Sequence, residues 1–151
     1  MGPKLRKTVL VVHIGASVAL LGEVWSLVVL NTVTTTGAAE GARGAYALMA
    51  NLIFTGGVPL SMISLVTGIV LGLTSRWGLF RHLWVVAKLG LLLGVICAGM
   101  FLFDPAGMAL GPLPAPGRQW AQVAVVGAQA VMLATATALS VFKPGRRRAA
   151  A

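Results

Sequence analysis

Four side chains that can ionise or ligate stand in, or at the edge of, long apolar runs: His13, Glu23, His82 and Lys88. An ionisable group inside hydrocarbon costs about 2.5–3.5 kcal/mol on insertion scales, so each is a candidate for function. Glu23 is the deepest. At about 1.5 Å per residue it lies roughly 22 Å from the inner start of its helix, beyond reach of the cytoplasmic interface. Two arrangements would satisfy it: a hydrogen bond to Gln129 at comparable depth, or a protonated carboxyl set against backbone carbonyls released by Pro59. The chemistry open to it is that of a proton or ion pathway; the alternative is a structural acid held by its hydrogen bonds.

Lys88 lies about 9 Å from the end of its helix, near enough for its stem to carry the ammonium to the headgroups. Pairing with an anionic ligand or lipid is the other role open to it. His13, about 7 Å deep, and His82, near the interface, could together ligate haem or copper, with methionines assisting copper. No His-x-x-x-His pair or cysteine cluster reinforces such a site, and packing or interfacial histidines are the simpler account. No cofactor and no metal ligand set is therefore expected. A nucleophile–base pair, a phosphate-cradling glycine loop and paired acids are also missing from the pattern. With only three acids in 151 residues, hydrolytic mechanisms lack their parts, and no enzyme is expected. The lone Cys97 sits in an apolar run and reads as a small hydrophobe.

The elements that hold these residues follow from length and hydropathy. Hydrophobic residues make up 58% of the chain and charged ones 10%, with a mean hydropathy of +0.91; a soluble domain carries about 25% charge. About 20 apolar residues span 30 Å of hydrocarbon as an α-helix. Four segments qualify, at about 8–34, 45–74, 83–103 and 119–142, which predicts an all-α transmembrane four-helix bundle in one integral membrane domain, 1–151. Gly37, Gly41 and Gly44 break the chain after the first segment, and Asp104-Pro105 stops the third. Pro112, Pro114 and Pro116 keep the next stretch from being helical. Pro59, beside Gly56 and Gly57, should kink the second helix in mid-membrane. Residues 143–151 read as a basic tail.

The net charge of +9 does not indicate nucleic acid, because the basic residues flank apolar segments instead of forming a stripe. Lys4, Arg6, Lys7, Arg76, Arg81, Lys143, Arg146, Arg147 and Arg148 belong to the two termini and the second loop, against Arg43 and Arg118 in the other loops. That bias predicts both termini in the cytoplasm of a multi-pass cell-membrane protein, with Trp77 and Trp84 as interfacial anchors. The first segment is too long for a signal peptide, contains Glu23 and lacks an A-x-A site.

Small residues recur every four positions in three segments: Ser64, Gly68 and Gly72; Gly90, Gly94 and Ala98; Ala130, Ala134 and Ala138. Gly15, Ala19, Gly22 and Ser26 form a similar stripe in the first. Such stripes predict close helix packing, and the short loops favour contacts within one chain, with a membrane-protein partner or a homo-oligomer as the alternative.

The run from Thr67-Gly68 through Trp77-Gly78-Leu79-Phe80-Arg81-His82-Leu83-Trp84-Val85-Val86-Ala87-Lys88-Leu89, with His13 and Ala16-Ser17-Val18 in the first helix, resembles a signature of small bacterial four-helix membrane proteins of unknown function. These are distantly similar to the copper-resistance D membrane family. The resemblance implies the four-helix topology and no established activity. Three functions stay open: a non-enzymatic accessory or interaction subunit, a small-solute, proton or metal (copper) transport component with Glu23 lining the path, and a haem-binding membrane protein.

Overall fold

The computed structural model describes residues 2–37, 41–74 and 83–142. The expected turn at Trp77, Arg81 and His82 and the basic tail lie outside them. Six α-helices follow in order: α1 Pro3–Thr36, α2 Ala42–Leu52, α3 Val58–Thr74, α4 Leu83–Phe101, α5 Pro105–Leu110 and α6 Pro116–Phe142. A π-helical turn, Ile53–Gly57, joins α2 to α3. Among the described residues no strand occurs. Among them four helical spans are long and apolar enough to cross a membrane: Pro3–Thr36, Ala42–Thr74, Leu83–Leu110 and Pro116–Phe142.

Two boundaries differ from expectation because proline can start a helix. At the first helical position its fixed φ suits the helix and its missing amide would have had no partner. Pro3 therefore opens α1 five residues before position 8, making Lys4, Arg6 and Lys7 helical, and Pro116 opens α6 three residues before position 119. A third difference falls in 104–118, expected to be irregular. There Asp104 caps a short helix, its Oδ1 accepting the Gly107 amide at 2.9 Å, with Pro105 in the first turn.

Gln122 of α6 ties this cap down. Its Oε1 accepts the Asp104 amide and its Nε2 donates to the Leu102 carbonyl, both at 2.9 Å. Arg118 pairs with Asp104 at 3.3 Å, an exposed contact of little stabilising value. α5 then packs on α2, where Phe103, Pro105 and Met108 are buried near one end of a core that includes Ala42, Tyr46 and Met49.

α1 is the central element, in contact with α3 and α6, while α4 packs on α6. Its buried face carries Ala16, Leu20, Val24, Leu27 and Asn31. Its outer face carries exposed Val11, Val18, Trp25, Val29 and Val33, a surface that hydrocarbon solvates and water does not.

The small-residue stripes divide. Ser64 and Gly72 are buried and Gly68 lies against His13, so the second stripe packs as expected. Gly94 faces the Met132 sulfur on α6, but Gly90, Ala134 and Ala138 are exposed. In α1 the stripe of Gly15, Ala19, Gly22 and Ser26 is exposed throughout. That correction has a simple cause. α1 seats medium apolar residues and polar side chains on its neighbours, and the helix can turn only one face inward.

Candidate functional site

α1 runs antiparallel to the second span in one register from end to end. His13 Nδ1 meets Thr67 Oγ1 at 3.0 Å, and Ser17 Oγ meets Ser64 Oγ at 2.9 Å. Glu23 lies against Gly56 and Gly57, and the Thr35 hydroxyl lies beside that of Tyr46. The residue numbers of these facing pairs add to 79–81, so each step along α1 is matched by a step back along its partner. Ser61, buried, stands one turn from Ser64 toward Gly57, and Asn31 stands one turn from Thr35 on α1. The inner face of α1 thus carries polar groups at both ends and the centre of an apolar helix.

The donors can be assigned in part. With the Thr67 hydroxyl proton on the Ile63 carbonyl, its oxygen accepts from His13 in the tautomer that carries the proton on Nδ1. The ring is close-packed: a Cβ at Gly68 would stand 3.0 Å from His13 Cε1. Glycine at 68 is what lets an imidazole lie across the α1–α3 contact.

Glu23 is the centre of the arrangement. Both carboxyl oxygens are buried, and the Gly57 amide lies beside them without meeting hydrogen-bond geometry. A Cβ at Gly57 would be 2.8 Å from Oε1, and one at Gly56 would be 3.2 Å from Oε2, so the two glycines open the wall that the carboxyl faces. The backbone there is itself irregular. Val58 donates to the Ile53 carbonyl, five residues back, and Pro59 has no amide with which to close the next bond. Where a kink at Pro59 was expected, the backbone carries this π turn just ahead of the proline. Thr55 returns its hydroxyl to the Asn51 carbonyl at 2.7 Å. Turns of this kind are frequent at functional sites.

Of the two partners expected for Glu23, the Pro59 region is the one it faces. Gln129 does not bond to it: its Nε2 donates to the Val95 carbonyl of α4 at 2.9 Å and packs beside Gly99. Gln129 is a buried clasp between α6 and α4.

Toward the loops, Asn31 and Tyr46 have no exposed surface. Neither the Asn31 amide nor the hydroxyls of Thr35 and Tyr46 meet hydrogen-bond geometry. Toward the opposite end, where α1 starts and α6 finishes, His13 and Ser17 line a cavity of about 300 Å³ between α1, α3, α4 and α6. Lys88 lines it too. Its ammonium reaches across to Ser140 Oγ of α6 at 2.9 Å and lies 5.2 Å from the Trp84 ring centre. Near the ends of α4 and α6 the lysine thus finds a hydroxyl and an aromatic face within reach.

Three of the expected residues, His13, Glu23 and Lys88, therefore face the interior; Gln129 is buried elsewhere, and His82 lies outside the described residues. Among the described residues no three His, Cys, Asp or Glu side chains group to hold a metal ion. Ser61, Asn31, Thr35 and Tyr46 were not anticipated, and Ser17, Ser64 and Thr67 were not anticipated as polar partners. Their signal was present as hydroxyls spaced three apart at 61, 64 and 67, which puts all three on one helical face. These features define a multi-pass helical bundle with a polar inner seam. No family model matches the chain, and no curated protein or solved structure matches it either.

Proposed function

We propose that this chain is a small transport component of a cell membrane, with both termini in the cytoplasm, that passes protons along the α1 seam. The observation that carries this reading is Glu23: a carboxyl just past the midpoint of α1, both oxygens buried and unpaired, against a π turn. A bare carboxylate in such a place is costly, whereas a carboxyl that takes up and gives away a proton is neutral for part of its cycle. The seam supplies approaches from both sides. His13, Ser17, Ser64 and Ser61 lead from the cavity toward Glu23, and Asn31, Thr35 and Tyr46 lead away toward the loops. The unpaired polar atoms of that second group are suited to water, which carries protons between fixed groups.

The steps are chemically simple. A proton enters through the cavity, passes along the hydroxyls and their water, and adds to Glu23. It leaves toward Asn31 when the π turn shifts and presents the other side of the carboxyl. Reconstitution in liposomes tests this: an imposed pH gradient with valinomycin should dissipate through the wild type and not through Glu23→Gln. Equal dissipation by both would defeat the proposal.

A second reading, an interaction subunit, draws on one specific feature. The exposed stripe of Gly15, Ala19, Gly22 and Ser26 on α1 permits close approach of another helix. Cross-linking from a cysteine introduced by Gly22→Cys in native membranes would detect such a neighbour.

A further inference from the structure

The cavity of about 300 Å³ between α1, α3, α4 and α6 has a chemistry that proton transfer does not require. Arg6, His13 and Lys88 line it together with the hydroxyls of Ser17, Ser64 and Ser140, and among the described residues no acid lines it. The chain has only three acids. Glu23 is turned to Gly56 and Gly57, Asp104 lies at the opposite end with Arg118, and Glu40 lies outside the described residues. Positive groups and hydroxyl donors gathered around one space draw an anion to it.

The cavity also has shape and direction. Its volume falls in the range of small-molecule sites. Leu10, Leu20, Leu92 and Leu133 make an apolar wall on which acyl chain or hydrocarbon can lie. The Lys88 ammonium is fixed by Ser140 and Trp84, so a charge stands ready at the polar side. An arginine, a lysine and hydroxyl donors around one space are the groups that hold a phosphate, the arginine by its fork and the lysine as a point charge.

We infer that this cavity binds a phosphate-bearing anion, with the head held by Arg6 and Lys88 and any apolar part along the leucine wall. The site stands independently of the Glu23 reading, since its chemistry does not use that residue. Two sources share the chemistry, an anionic phospholipid of the surrounding leaflet and a free phosphate compound.

Native mass spectrometry of the full chain in detergent, titrated with phosphatidylglycerol, phosphatidylcholine or inorganic phosphate, tests the inference. Phosphatidylglycerol or inorganic phosphate should bind, with phosphatidylglycerol favoured over phosphatidylcholine. Lys88→Gln should weaken binding by about tenfold or more, as the loss of a charge-assisted bond does, while Lys88→Arg retains it. Ala136→Leu, which fills the cavity from α6 without changing charge, should weaken binding to the same degree and serves if Lys88→Gln does not fold. Lys7→Gln removes an exposed charge outside the cavity and should change little. Displacement of the lipid by inorganic phosphate assigns the site to free phosphate compounds; retention of lipid under phosphate assigns it to the leaflet. Equal binding of both lipids with no binding of phosphate, or equal weakening by Lys7→Gln and Lys88→Gln, overturns the inference.

Discussion

Replacing Glu23 by methionine should stabilise the protein and abolish its flux at the same time. The side chains are similar in length and unbranched, so methionine can follow the path of glutamate past Gly56 and Gly57. What the substitution removes is two buried oxygens that lack partners. Each such group costs about 1–3 kcal/mol. Chains unfolded within a membrane also find some partners for polar groups, which reduces the difference. We expect a net gain of about 1–2 kcal/mol, a shift of roughly five- to thirtyfold in the unfolding equilibrium. Steric trapping in bicelles measures that equilibrium directly, and the liposome assay measures flux on the same preparation. A site kept against its own stability is what a functional carboxyl implies. Should methionine instead destabilise by more than about 1 kcal/mol, the carboxyl must be bonded in the native protein, and Glu23 cannot be the unpaired acid that proton transfer along the seam requires.

Other outcomes follow from the same geometry. Gly68→Ala places a methyl 3.0 Å from His13 Cε1 and should cost about 1–3 kcal/mol; combining it with His13→Ala should recover most of that loss in a double-mutant cycle. Gln122→Leu strands the Asp104 amide and the Leu102 carbonyl, at about 2 kcal/mol or more, and hydrogen exchange at Asp104 should accelerate. Tyr46→Phe removes a buried hydroxyl without a partner, so stability in the steric-trapping assay should hold or rise, by up to about 1 kcal/mol. Gly57→Ala crowds the end of a flexible side chain 2.8 Å away; the fold should tolerate it while proton flux falls.

How much of this was legible beforehand depends on the kind of force involved. The four spans and their approximate extents follow from residues alone, because a backbone in hydrocarbon must bond within its own segment and can do so only as a helix. Glu23, His13 and Lys88 announced themselves for a related reason: their cost in lipid is local and large. The partners did not. In water the polar face of a helix points outward, and sequence periodicity tells which side is buried. In lipid an apolar side chain is equally content facing a neighbour or the acyl chains, so Gly15, Ala19, Gly22 and Ser26 could suggest a packing face and still lie outside. Only the tertiary contacts set α1 against Thr67, Ser64 and the Gly56–Gly57 wall, turned Gln129 to Val95, and drew Lys88 to Ser140. Those choices rest on the fit of side-chain volumes and on hydrogen bonds between residues more than thirty positions apart, which no pattern within a single span encodes.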